Sequence, residues 1–152
     1  MTLDELKTYI KSVCVAHKSI NDFYIGDHYT EAEDINLSYP LVFYEMPYYL
    51  QYNLSPQRQV DNVQFAFNVF VDDAWDKISD DHDAISAAKE IGDDIVTYIL
   101  NAQRDFVVGG VTAVSVREFG DDSVAGMRFE WQIQLPRDAC VTGYADNFNP
   151  LS

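Results

Sequence analysis

The sequence predicts an α+β fold: a mainly antiparallel sheet of four to five strands with two helices packed on one face. Three observations point there. Apolar residues recur at helical spacing near the start of the chain and again over residues 83–102. "VQFAFNVFV", residues 63–71, puts large apolar residues at every second position, with mostly small or amide residues between them. Two further alternating runs lie near the C-terminal end, separated by glycines and aspartates. A chain of 152 residues is long enough to bury one substantial core. The expected organisation is a single domain over residues 1–137, followed by an extended tail over 138–152.

The elements follow in order. Thr2 and Glu5 have the spacing of a capping box, in which the Thr hydroxyl takes a free N–H and the Glu reaches back. Leu3, Leu6, Ile10, Val13, Cys14 and His17 then form one stripe, so His17 is expected as a packed, hydrogen-bonded side chain. A short apolar run, Phe23 to Ile25, precedes a polar loop turned by Gly26. "YPLVFYEM" has the β-branched and aromatic content of a strand starting after Pro40. In residues 63–71, Val63, Phe65, Phe67, Val69 and Val71 make a core face. Gln64, Ala66, Asn68 and Phe70 make a face suited to solvent or a modestly polar partner.

The second helix carries Ile85, Ala88, Gly92, Ile95 and Ile99 on one stripe, widened by Ile91, Val96 and Leu100. Gly92 costs about 1 kcal/mol of helix stability against Ala, and its lack of a side chain suits close approach of helix to sheet. "VTAVSVREF" and "MRFEWQIQL" then form a hairpin whose connection, "GDDSVAG", has turn chemistry. A helix of about 20 residues and a strand of about nine both span roughly 30 Å, so helix and sheet match in length.

The formal charge is −15, from 25 acidic and 10 basic residues. Such a surface repels phosphate backbones and anionic membranes, which disfavours nucleic-acid reading and membrane adhesion. It suits a protein that must not adhere to DNA, or one that imitates it. Cys14 and Cys140 make neither a disulfide framework nor a zinc knuckle. With no leader-like or membrane-length apolar run, the expectation is a soluble protein made in a reducing cytoplasm.

Chemistry is sparse. "DDAWDKISDDHD", residues 72–83, gathers six aspartates around His82 and invites a metal reading. The register of an EF-hand is missing, and capping of the second helix by Ser79, Asp80 or Asp81 explains the same residues better. His17, His28 and His82 fall in a helix stripe, a loop and a helix start. No nucleophile elbow, phosphate-binding loop or dinucleotide fingerprint is present. Neither a catalytic residue nor a cofactor or metal ligand is assigned, and the chain is expected not to be an enzyme.

The unusual stretch is "EMPYYLQYNLSPQRQV", residues 45–60. Prolines near both ends argue against a helix or a central strand across it, so it reads as a loop. Tyr48, Tyr49, Leu50, Tyr52 and Leu54 are nonetheless apolar or aromatic. Either they fold back over the sheet edge, or they are surface for a partner to bury, since tyrosine brings large contact area at low entropic cost. Tyr144 and Phe148 anchor the tail and join the candidate interface set. Gln64, Asn68, Gln132 and Gln134 add uncharged hydrogen-bonding capacity, as a solvent face or a subunit interface.

The capped N-terminal helix, "YPLVFYEMP", the long loop, "VQFAFNVFVDD", the second helix and "VTAVSVREFGDDSVAGMRFEWQIQL" resemble, in order and pattern over residues 2–137, the tail-terminator and tail-completion proteins of tailed bacteriophages. That resemblance implies a non-enzymatic virion protein, assembled in the host bacterial cytoplasm. It implies a ring, sixfold or twelvefold, at the end of the tail tube or the head–tail junction, contacting other tail, neck or portal proteins. DNA would pass through without specific binding, which an acidic channel favours. Two alternatives stand beside it. One is an acidic DNA mimic that occupies a nucleic-acid-binding protein, motivated by the charge and by aspartates at 72–83, 93–94 and 121–122. The other is a metal-dependent hydrolase using His82 and its neighbouring aspartates.

Overall fold

The structure is a computed structural model that describes residues 1–26, 38–46, 48–55, 59–72, 81–102, 106–119, 122–136, 144–147 and 149–150. The first helix, α1, runs Leu3–Ala16. Its capping box forms as expected: Glu5 N–H donates to Thr2 Oγ1 at 3.1 Å, and Thr2 N–H donates to Glu5 Oε2 at 2.7 Å. Leu6, Ile10, Val13 and Cys14 are its buried stripe.

The strands are β1 (Asp22–Gly26), β2 (Leu41–Glu45), β3 (Tyr49–Leu54), β4 (Gln59–Asp72), β5 (Val107–Phe119) and β6 (Asp122–Pro136). The second helix, α2 (Asp81–Asn101), separates β4 from β5. All six strands form one sheet in the order β1-β2-β4-β6-β5, with β3 on β4 as well. Only the β1–β2 pair is parallel. The fold is therefore α+β with two helices and a mostly antiparallel sheet. The strand beyond the expected four to five is β3, read from sequence as a loop because of its flanking prolines.

Long β4 explains how β3 fits. Its C-terminal half pairs with β2, with Tyr44 opposite Phe67, and its N-terminal half pairs with β3, with Tyr49 opposite Gln64. Between those two matches the β2–β3 side has four residues, 45–48, and β4 has two, 65 and 66. So β2 and β3 follow one lane along β4, interrupted by a two-residue excess. Even excess preserves the alternation of faces.

One face of the sheet carries the helices. Val63, Phe65, Phe67 and Val69 of β4 lie opposite Ile133, Trp131, Phe129 and Met127 of β6, and all eight are buried. Leu6, Ile10, Val13 and Cys14 of α1 and Ala88, Ile91, Ile95 and Ile99 of α2 close over them. Rings stack within this layer: Phe67 on Phe129 at 5.2 Å between centroids and Phe65 on Trp131 at 6.1 Å. Gly92 takes the place its sequence position suggested. A Cβ there would stand 2.0 Å from Cζ of Phe129. Leu100, placed on the α2 stripe from sequence, is instead exposed, and Ala84 is buried.

The second face departs from expectation. Phe70 and Asn68 are fully buried, and Ala66 nearly so. Here β2 sets Leu41 beside Phe70 and Phe43 beside Asn68. Leu41, Phe43, Phe70 and Val124 form a second apolar cluster, flanked by Tyr24, Tyr39 and Val116.

The closing hairpin is longer than its turn chemistry suggested. Phe119 already pairs with Asp122, so Val124, Ala125 and Gly126 belong to the ladder with β4. Gly126 serves close approach, since a Cβ there would fall 1.9 Å from the Val69 carbonyl oxygen. In the C-terminal tail, Tyr144–Asn147 form a 3-10 turn where extended chain was expected.

Candidate interaction surface

Alternation divides β3 between the two faces. Leu50 lies opposite Val63 and packs at the rim of the main core, as does Tyr48, whose ring meets Tyr44 edge-on at 6.0 Å. Tyr49, Tyr52 and Leu54 are 65%, 53% and 58% exposed. The five aromatic and apolar residues singled out from the sequence thus split. Tyr48 and Leu50 help hold β3 on the sheet; Tyr52 and Leu54 share the face of Leu50 but lie exposed farther along the strand, and Tyr49 is exposed on the opposite face. Phe148 lies outside the described residues, as does the side chain of Tyr144.

Strand register assembles a patch that no single segment of sequence displays. Tyr49, Gln64 and Gln132 form one row across β3, β4 and β6, and Gln51, Asn62 and Gln134 form the next. Together with Gly109 they line a shallow groove of about 210 Å³. A neighbouring depression of about 390 Å³ runs on past Gln134 to Asn53, Leu54, Ser55 and Val60. Amides donate and accept hydrogen bonds without carrying charge, so these rows suit polar contact with a peptide surface. The amides themselves provide no nucleophile and no proton-transfer group.

An ion cluster bounds the patch. Arg128 Nε donates to Glu45 Oε2 at 2.8 Å, and its Nη1 donates to Glu130 Oε2 at 2.9 Å. Gln64 Nε2 donates to the other oxygen of Glu130. The Arg128 hydrogen bond first, and then that of Gln64, hold the Glu130 carboxyl below its ordinary value. The second face therefore runs from apolar cluster, through ion cluster, to amide rows. Of the four amides read from sequence as one polar face, Gln64, Gln132 and Gln134 lie in the rows and Asn68 does not. Asn68 is buried in register with Arg128 and Phe43, and its side-chain N and O have no hydrogen-bond partner among the described residues.

The remaining candidates do not converge. His17 closes α1, with Nε2 3.0 Å from Asp94 Oδ2 and Nδ1 accepting from Ser19 N–H at 3.1 Å. It is the hydrogen-bonded side chain expected at that position. Asp72 and His82 are exposed, and residues 73–80 and His28 lie outside the described residues, so the capping assignment to Ser79 or Asp80 does too. Cys14 is enclosed in the core, where burial pushes its thiol up to about 12. Burial, and after it the Tyr48 hydroxyl, likewise raise the Tyr44 phenol. No helix among the described residues is long and apolar enough to cross a membrane.

Sequence alternation already placed Arg128, Glu130, Gln132 and Gln134 on one side of β6. What it lacked was register, which alone brings Gln51, Asn62 and Gln64 alongside and Glu45 to Arg128. No protein-family model matches this chain, and no curated protein matches its sequence.

Proposed function

We propose that this chain is a non-enzymatic structural protein of a tailed-phage virion, forming a ring at the head–tail junction or at the end of the tail tube. The observation that carries this reading is β3, where Tyr49 on one face and Tyr52 and Leu54 on the other all stand exposed, in a chain of charge −15. Large aromatic and apolar side chains concentrated on one strand are surface for a protein partner. The amide rows beside them supply uncharged polar contacts. The order of elements, with a capped helix, a second helix and a long closing hairpin, supports the likeness to tail-terminator and tail-completion proteins.

In this reading Tyr49, Tyr52 and Leu54 reach a neighbouring subunit or the next ring, while Tyr48 and Leu50 stay with the monomer. The test is the mass of the purified protein by light scattering on a sizing column, followed by negative-stain imaging. Rings, or a mass rising with concentration to a closed multiple, are the expected result. Replacing Tyr49, Tyr52 and Leu54 together by Ser is expected to weaken assembly and leave the helical circular-dichroism signal intact. A strict monomer at every concentration would turn the reading toward the acidic DNA mimic, whose binding to a basic partner should weaken steeply with salt.

A further inference from the structure

Charge is spread through this sequence so that few long stretches lack it. The two longest charge-free runs are residues 46–57 and 106–116. They build β3 and β5, strands that among the described residues pair only on one side: β3 with β4, and β5 with β6. The remaining long neutral runs, 35–44 and 62–71, supply β2 and β4, which lie inside the sheet. Neutral sequence is what a sheet interior requires. On an outer strand it is unexpected, because exposed edges are ordinarily guarded by Lys, Glu or Pro against pairing with other chains.

The edge at β5 is the more open. Thr112, Ala113, Val114 and Ser115 are all exposed, so this stretch projects beyond the cover of both faces. Its composition, Val-Thr-Ala-Val-Ser-Val over 111–116, is mostly β-branched and so favours a strand. The bulge between Val108 and Val111, at Gly109 and Gly110, blunts only the first part of the strand. From Val111 to Val116 the ladder to β6 is regular, leaving an outward row of backbone donors and acceptors.

We propose that the outer edge of β5, Val111–Val116, pairs with a strand of a second copy of this chain. This rests on the ring reading above and names the contact that would build the ring. A second copy is the occupant that the charge pattern favours. Two chains of −15 repel, and they approach most easily where both are neutral. The chain brings its own matching strand, since β3 on the other side of the sheet is equally free of charge. A β5–β3 contact is head-to-tail and gives a ring where the rotation between copies closes, whereas β5 against β5 gives a two-fold pair.

The experiment compares the wild-type chain with Thr112→Lys/Ser115→Lys, which puts one lysine on each face of the edge at exposed positions. A control, Ser86→Lys/Thr97→Lys, adds the same charge on the exposed side of α2. Mass is read by light scattering, fold by circular dichroism and melting, and amide exchange of 111–116 in the wild type by mass spectrometry. The expected result is an assembled wild type with slow exchange at 111–116. The edge variant should be a folded monomer over a concentration range extending at least about tenfold higher, and the control should assemble.

Rings that persist in the edge variant would overturn the edge inference and leave the ring reading standing. A two-copy species dissolved by the edge lysines would keep the edge inference and end the ring reading. A wild type that stays monomeric overturns both, whereas growth without limit that the edge lysines stop would keep the edge inference and end the ring reading. If the edge variant fails to fold, exchange decides, because an assembled wild type with every amide of 111–116 exchanging rapidly overturns the edge inference.

Discussion

Gly92→Ala should destabilise this protein, although helix propensity alone predicts the opposite. Replacing Gly by Ala within a helix is worth about 1 kcal/mol in favour of folding. Here the added methyl would lie 2.0 Å from Cζ and 2.1 Å from Cε2 of Phe129, some 1.5 Å inside ordinary carbon–carbon contact at about 3.5 Å. The ring has little room to retreat. Phe129 is 2% exposed and is stacked on Phe67, which in turn packs against Trp131 at 5.9 Å. Overpacking of a tight core costs about 1–3 kcal/mol, and an overlap this deep belongs at the upper end. The net expectation is a loss of about 1–2 kcal/mol, which for a chain of this size lowers Tm by about 2–8 °C. Urea melts of Gly92→Ala, Phe129→Leu and the double variant supply the assay. With the end of the ring removed, Gly92→Ala should become neutral or stabilising, giving a coupling of about 1–3 kcal/mol. A single Gly92→Ala variant at or above wild-type stability would refute the claimed contact between α2 and the sheet.

Gly126→Ala should cost more, on the order of 3 kcal/mol or above, because its methyl would meet the Val69 carbonyl oxygen and the backbone cannot turn aside as a ring can; chemical denaturation checks the ranking. Thr2→Ala removes one half of the capping box and should lower stability by about 1 kcal/mol, read by the same melts. Cys14, buried with its thiol raised from 9.0 to about 12, should resist thiol reagents in the native state and react on unfolding. Since the unfolded thiol ionises first, stability should fall as pH rises from about 9 toward 12, and Cys14→Ala should remove that part of the alkaline slope. Arg128→Met leaves the partly buried carboxylates of Glu45 and Glu130 facing each other without a cation; a loss of about 1–3 kcal/mol at neutral pH, shrinking as the carboxylates protonate in acid, is the expected result of a pH series of melts.

Much of the fold was legible because its signals are local. The capping box, the α1 and α2 stripes and the alternation of β4 and β6 each depend on residues a few positions apart. Close approach at Gly92 could be read from a glycine on an apolar stripe. The errors share a cause in pairings between distant segments. Residues 49–54 have strand-forming tyrosines and leucines, yet Pro47 and Pro56 outweighed them in sequence; pairing with Gln59–Gln64 decides the matter. Asn68 and Phe70 looked solvent-facing on β4 alone, until β2 brought Leu41 and Phe43 beside them. For the interaction surface, sequence found the right residues but could not separate Tyr48 and Leu50 from Tyr49, Tyr52 and Leu54. Register puts Tyr49 alone on the second face, while Tyr52 and Leu54 share the phase of Leu50 and differ from it in lying beyond the cover of the main core.

The even excess of chain between β2 and β3 has a consequence for how this protein can vary. Deleting one residue from 45–48 would put β2 and β3 out of step along β4, so that either a one-residue bulge absorbs the mismatch or β3 turns over, sending Leu50 outward and Tyr49 toward the helices. Deleting two would keep each residue on its own side and merely straighten the lane along β4. Length changes at this junction should therefore be tolerated better in pairs than singly, so that the join behaves as a parity lock on which residues the strand shows to the outside.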